Sequence, residues 1–302
     1  MVSRSPDVGE PDVTGLERWA AVVDVGGSSL KCGAVSDSGA VTGESSASIN
    51  NAGSAEQLLE NLASASTSAL EAAPVPCEAL GIAFPAPFDY SNGRPLLKHK
   101  FGSIYGLDLA QSMRISAAVK HTFFCNDAVA AGLGEAVHGS GDSSLRQLMI
   151  TLGTGLGACL IEGGVPVTGG EADDVPNLYL RRLGSGTADD AFSARGLASR
   201  LQTTMSDLPA EIRRSNTEHD HQLDQFGRDL GNFLAPVVEA TNTELVVVGG
   251  GASAAFDLFG EALVQALPVE VRRAVLGSSA ALLGTASHVF AQLELSGGVR
   301  GG

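Results

Sequence analysis

With 302 residues, 44% hydrophobic and 18% charged, the chain is long enough for one large core or two smaller ones. Its 34 Asp and Glu against 19 Lys and Arg leave a formal charge of -15, which repels a phosphate backbone, so nucleic-acid binding is not expected. The longest apolar stretches fall short of the ~20 residues of a membrane span, and residues 1–15 lack the apolar segment of a secretory signal. Cys32, Cys77, Cys125 and Cys159 are scattered with no Cys-x-x-Cys, which disfavours a disulfide framework or a cysteine-based zinc site. The expectation is a soluble, cytoplasmic protein that engages no membrane.

In chain order, the first element is a β-branched strand over residues 21–25 that ends in Gly26-Gly27, followed at once by an apolar stretch over 30–35. A helix-period stretch follows at Ala55–Ala72, then an apolar strand running into the proline-stiffened turn Gly81-Ile82-Ala83-Phe84-Pro85-Ala86-Pro87. Phe124-Cys125-Asn126-Asp127 ends another strand and opens a helix over 127–137. A strand over 148–152 then delivers Gly153-Thr154-Gly155, and residues 157–161 form its return. Helical periodicity resumes at 219–240, a strand at 245–248 ends in Gly249-Gly250-Gly251, and helices are expected at 257–266 and 280–293. Residues 1–15 and 296–302 read as disordered tails.

Strands alternating with helices argue for a layered α/β fold. Each half opens with strand, tight glycine turn and strand, which is a hairpin and not the strand-to-helix step of a dinucleotide fold. The halves therefore read as two related domains that offer glycine hairpins to a shared cleft.

Glycines let a backbone approach a phosphate, and exposed N–H groups bind its oxygens. On that ground Gly26, Gly27, Ser28 and Lys31 form one candidate phosphate site, and Thr151, Gly153, Thr154 and Gly155 a second. Asp24, at a strand end, suits Mg²⁺ directly or through water. Gly249, Gly250 and Gly251 offer a flat backbone to a nucleoside. Asn126 and Asp127 fit a plain helix N-cap; the functional alternative makes Asp127 a general base towards a bound alcohol, with Asn126 orienting it. Glu171, Asp173, Asp174, Asp189 and Asp190 crowd Gly-rich loops, as exposed acids do on such a chain. Lys98-His99-Lys100 reads as a basic surface turn, with substrate contact as the alternative.

Together, in this order, the motifs resemble the ROK family of bacterial sugar kinases and repressors, in the hexokinase–actin–Hsp70 superfamily. Asp24 to Lys31 matches that family's Asp-x-Gly-Gly-Thr-x-x-Lys with Ser28 for Thr, and Gly81 to Pro87 matches Gly-x-x-x-Pro-Gly-Pro with Ala86 for the middle Gly. The Asn-Asp pair, the second hairpin and the nucleoside loop fall on Asn126-Asp127, residues 151–157 and residues 249–252. The departures are Asp174 where a His follows Glu171, no cysteine over 179–187 where a zinc motif is usual, and Asp189 where a later Glu is expected. They resemble a zinc-free branch, so no zinc is expected, and Arg181, Arg182 or Arg195 would pair with the carboxylates instead.

The resemblance implies two actin-like (ribonuclease H-like) domains with mixed sheets flanked by helices, the site lying in the interdomain cleft. Their expected bounds are 16–127 and 128–279, with the helix over 280–293 packed on the first. It implies an ATP-dependent kinase acting on a hexose hydroxyl, with Mg²⁺. Asp127 would be the base, Asn126, Asp127, Glu171 and Asp189 would bind the sugar, and the protein would be a homodimer. A non-catalytic sugar- or nucleotide-binding regulator and a scaffold with a residual nucleotide site are the alternatives. About twenty residues precede the first motif, fewer than a helix-turn-helix module needs, so a repressor is not expected.

Overall fold

Residues Trp19–Val25 are apolar except Asp24, and the apolar ones are buried on both faces, as a central strand requires. In the computed structural model, which describes residues 17–77, 79–117, 119–214 and 217–298, this segment is the middle strand of a five-stranded sheet. The first half runs β1 (Trp19–Val25), β2 (Ser29–Ser36), β3 (Val41–Ser48), α1 (Ala55–Ala72) and β4 (Ala79–Phe84). A short ribbon of β5 (Phe88–Asp89) and β6 (Arg94–Pro95), α2 (Leu109–Ala117) and β7 (His121–Asn126) complete it. The sheet order is β3-β2-β1-β4-β7, with β1 and β2 antiparallel and β4 parallel to both β1 and β7.

Helix α1 starts where its sequence says it should. Ser54 Oγ accepts the Gln57 N–H at 3.3 Å and Gln57 Oε1 accepts the Ser54 N–H at 3.1 Å, a reciprocal cap. Leu58, Leu62, Ala65 and Ala69, at helical spacing, then pack into the core beneath β1 and β4.

The second half opens with α3 (Asp127–His138), then β8 (Gln147–Leu152), β9 (Leu156–Glu162) and β10 (Val165–Pro166). A 3₁₀ segment, Gly170–Leu180, precedes the ribbon β11 (Arg182–Leu183) and β12 (Gly186–Thr187). Helices α4 (Ala188–Phe192), α5 (Ala194–Arg200), α6 (Leu208–Arg213) and α7 (Thr217–Thr241) follow, and then β13 (Leu245–Gly249), α8 (Phe256–Ala266), β14 (Glu270–Arg273) and α9 (Ala280–Gly298). The order β10-β9-β8-β13-β14, antiparallel at β8–β9 and parallel at β13, repeats the plan of the first sheet strand for strand.

Two helices link the sheets. Leu133 and Ala136 of α3 pack with Met149, Cys159 and Val247 of the second sheet, whereas Leu282, Ala286 and Val289 of α9 pack on Ala20, Val22 and Ala79 of the first. Burial of a Leu or Val of this kind contributes about 1.5–3 kcal/mol. The two helices cross backbone to backbone, because a side chain at Gly134 would strike Ala280 and one at Gly284 would strike Ala130. Beside the crossing, the Glu135 carboxylate, only 1% exposed for the residue, accepts the N–H groups of Ser140, Val275 and Leu276. It thereby ties α3 to the connector that leads into α9.

The expected tails are corrected at one point. Residues 1–15 and 299–302 lie outside the described residues, but 296–298 continue α9, where the Ser296 hydroxyl donates to the Gln292 carbonyl at 2.7 Å. Among the described residues no helix is long and apolar enough to cross a membrane.

Candidate active site

The first glycine turn closes β1 onto β2 with the Gly26 N–H donating to the Ser29 carbonyl at 2.8 Å. Gly27 and Ser28 form its exposed tip, and the Asn51 side-chain amide donates to the Gly27 carbonyl. Asp24 and Lys31 are cross-strand neighbours at its base. Burial, then the charge of Asp127, push the Asp24 carboxyl up to about 6, with Lys31 opposing. The Lys31 ammonium donates to the Ser278 carbonyl at 3.3 Å, in the connector before α9. Asp24 and Asp127 therefore stand within repelling reach of each other although they belong to different strand ends.

Asn126 is the N-cap of α3: its Oδ1 accepts from the N–H groups of Ala128 at 3.0 Å and Val129 at 3.1 Å. Its Nδ2 donates to the Tyr90 hydroxyl at 3.1 Å, and that hydroxyl donates to the Phe84 carbonyl at 3.0 Å. The cap reading and a site role are thus compatible, since the Asn126 amide also hydrogen-bonds the Asp127 carboxylate. Asp127 follows with Oδ1 accepting the Ala128 N–H at 2.9 Å. Its pKa is raised, chiefly by burial, against the opposing effect of hydrogen bonds from Ala128 and Asn126 and of the Lys100 charge.

The second hairpin arrives at the same corner. The Ala128 Cβ lies 3.1 Å from where a side chain at Gly157 would begin, and the Gly153 N–H donates to the Gly155 carbonyl at 3.0 Å. Thr154 and Gly155 form its exposed tip, and the Thr151 hydroxyl lies against Gly157. The third turn abuts this one. Gly250, at φ 84, is a left-handed position, and a Cβ there would fall 2.6 Å from the Leu152 backbone. Gly249 is buried at the end of β13, whereas Gly251 faces open space.

Two candidate sugar ligands, Asp189 and Glu171, have surroundings of their own. Asp189 was expected to bind sugar, but its Oδ1 accepts the Leu156 N–H at 2.7 Å and its Oδ2 pairs with Arg195 at 2.7 Å. Arg195 also donates to the Thr154 carbonyl at 3.2 Å, so the pair braces the second hairpin. Glu171 lies exposed in the first turn of the 3₁₀ segment, and among the described residues no hydrogen bond joins it to Asn126 or Asp127. Asp173 accepts the Gly169 N–H at 2.7 Å and holds that loop. The expected Arg–carboxylate pairing is found for Arg195 with Asp189.

Among the described residues no group of three or more His, Cys, Asp or Glu gathers to hold a metal ion. The donor set at the corner is a pair of carboxylates on a floor open to phosphate. That suits Mg²⁺, which binds through one or two carboxylates and completes its shell with waters and phosphate oxygens.

The sequence pattern of the ROK family matches residues 20–301. The chain belongs to the ROK family. It is 26% identical over 311 residues to a glucokinase of Halalkalibacterium halodurans, covering 89% of this chain and 94% of that protein. The ROK hexokinase of Thermus thermophilus has a similar structure, with a TM-score of 0.75 at 23% identity over 91% of this chain and 99% of that one. A ROK family glucokinase from Streptomyces griseus, solved with glucose and AMPPNP, gives a TM-score of 0.72 at 21% identity over 90% and 98% of the two chains. The fold is thus the two-sheet actin-like α/β fold, the class the motif order resembles.

Of three further residues at this ROK chain's corner, Tyr90 and Asn51 were not singled out from sequence, and Lys100 was read as part of a basic surface turn with substrate contact as the alternative. Tyr90 holds Asn126, Asn51 holds Gly27, and Lys100 stands over the first turn. Tyr90 and Asn51 carry no local signal, since each sits in a polar loop and finds its partner on a distant strand end. Lys100 had one, a basic run on an acidic chain, which reads equally well as a solvated turn.

Proposed function

We propose that the protein is an ATP-dependent sugar kinase, with a hexose as acceptor. The observation that carries this reading is the corner where both glycine hairpins meet the first turn of α3, with Asp24 and Asp127 close enough to repel. The exposed N–H groups at Gly27 and Ser28 would hold one end of the triphosphate and those at Thr154 and Gly155 the other, while Gly26 and Gly153 set the two turns through their own N–H bonds. Gly249, Gly250 and Gly251 would support the nucleoside. Asp24 would hold Mg²⁺, which when bound supplies charge neutralisation to the phosphates.

Asp127 accepts the proton of the acceptor hydroxyl through the oxygen that the Ala128 N–H leaves free. Burial raises its pKa, which makes the ionised carboxylate a better base than an ordinary one. Asn126, held in place by Tyr90, bonds the Asp127 carboxylate through its side-chain amide and would turn that donor to a neighbouring sugar hydroxyl when sugar binds. Glu171 would reach the sugar only if the exposed 3₁₀ segment moved inward on binding, and Asp189 acts on the nucleotide side by holding the second hairpin. Positioning and charge neutralisation contribute more than the base, because phosphoryl transfer passes through a loose transition state. The two sheets would then act as two lobes, 16–127 and 128–279, that close on the substrates and exclude water. Dependence on ATP fits a cytoplasmic location, and the homodimer remains a proposal from family resemblance.

The test is ADP release with Mg-ATP across hexoses, N-acetylhexosamines and polyols. Turnover with at least one hexose is expected. If calorimetry showed sugar and ATP both binding while no sugar released ADP, the protein would be a ligand-sensing regulator.

A further inference from the structure

The loop between β6 and α2 carries three consecutive basic residues, Lys98, His99 and Lys100, on a strongly acidic chain. It is not a loose surface turn. Leu97 before the run is 2% exposed and Phe101 after it 1%, with the Phe101 ring 5.1 Å from that of Phe84 at the end of β4. The Phe101 N–H donates to the Asn51 carbonyl at 2.7 Å, and the Asn51 side chain in turn donates to the Gly27 carbonyl. Ser103 adds a 2.7 Å hydrogen bond to the Gly53 carbonyl. The loop is therefore registered against the first glycine turn through Asn51.

The lysines near this turn, Lys98, Lys31 and Lys100, have different surroundings. Lys98 lies over the Tyr105 ring, 5.3 Å from its centroid. Lys31, the lysine of the glycine motif, is committed to the Ser278 carbonyl. Lys100 places its Nζ 3.5 Å from where a side chain at Gly27 would begin, and among the described residues it forms no ion pair. It is also near enough to Asp127 to favour that carboxylate's charged form. The ammonium thus stands over the exposed tip of the first turn, on the side facing the base.

We propose that Lys100 is a catalytic residue, its ammonium donating to the phosphoryl oxygens as the group passes from the first glycine turn to the acceptor hydroxyl. This inference rests on the kinase reading above. In that step the hydroxyl oxygen bonds to the γ-phosphorus while the bond from the γ-phosphorus to the β–γ bridging oxygen breaks. The electron pair leaves with ADP, the hydroxyl proton passes to Asp127, and Lys100 stays protonated throughout. A preorganised cation at this place stabilises charge that the transition state spreads over the phosphoryl oxygens.

The experiment compares Lys100→Met, Lys100→Gln, Lys100→Arg and Lys98→Met with the unaltered protein, by steady-state kinetics on the sugar found in the panel and by thermal melting. Lys100→Met and Lys100→Gln should lower kcat by about 10²–10³-fold, with sugar KM changed less than threefold and melting unchanged, because the side chain is exposed. Lys100→Arg should recover part of the loss, and Lys98→Met should behave as the unaltered protein. Losing the ammonium also removes its support for ionised Asp127, so the acid limb of kcat/KM should move to higher pH in Lys100→Met and Lys100→Gln. A kcat within threefold in both neutral variants, or a loss reproduced by Lys98→Met, overturns the assignment. Unaltered protein that turns over no sugar removes the kinase reading and this proposal with it; active protein beside an active Lys100→Met removes the proposal alone.

Discussion

The two glycine hairpins share a plan in sequence and topology but are held by different chemistry. The first, between β1 and β2, is anchored by a neutral amide at Asn51 and flanked by charged groups, Asp24 and Lys31 at its base and Lys100 over its tip. The second, between β8 and β9, has its flanking charges paired with each other: Asp189 and Arg195 form an ion pair, and each also bonds the hairpin backbone. The Ala194 N–H on the Gly153 carbonyl, at 2.8 Å, adds a third brace. Similar turns are thus built differently, one flanked by charges from separate elements and the other braced by an ion pair bonded to its backbone.

The largest expected effect comes from the residue between the hairpins. Asp127→Asn should lower kcat by about 10²–10⁴-fold without lowering the melting temperature, because Asn126 still caps α3 and a buried carboxylate that repels Asp24 is removed. Turnover within a few-fold of the unaltered protein would reduce Asp127 to a helix-start residue and leave the two hairpins with no acceptor chemistry between them.

Asp24 tests the charged character of the first hairpin through stability. Its folded pKa of about 6 lies above the 3.8 of an unperturbed Asp, so the native state holds the proton more tightly. This group's contribution is therefore most favourable below about pH 4 and is lost as pH rises through 6. Without Mg²⁺, Asp24→Asn should gain stability over the unaltered protein across that window, by at most about 3 kcal/mol. A melting difference that stays constant between pH 4 and 8 would show that neither burial nor Asp127 strains the Asp24 carboxylate.

Asp189→Asn probes the second hairpin. It removes the ion pair with Arg195 and weakens the acceptor of the Leu156 N–H, an effect of about 1–3 kcal/mol. The expected outcome is a raised KM for ATP with sugar affinity unchanged. Weakened sugar binding with unchanged ATP binding would restore Asp189 to the sugar pocket and dissolve the contrast between the hairpins.

Much of this was legible along the chain. Buried β-branched runs ending in glycine located β1, β8 and β13, and a second apolar run straight after the first two showed hairpins instead of dinucleotide turns. Asn126 at a strand-to-helix junction was legible as a cap, since its partners are the next two N–H groups but one. The end of α9 was not, because Ser296 reads as a breaker although its hydroxyl bonds within the helix. The partners of Asp189 were not legible either, since nothing local reveals that Leu156 and Arg195 occupy its oxygens.

The sequence by itself determined strands, turns and helix starts, and with them the order of motifs that carries the family, because each depends on spacing within a few residues. Tertiary structure alone decided which carboxylates repel, which are already paired and which lysine overlooks the first turn. Those properties depend on distances between atoms far apart in the chain. Asp24 with Asp127 and Lys100 with Gly27 become neighbours only when β1, β7 and the loop after β6 are packed together.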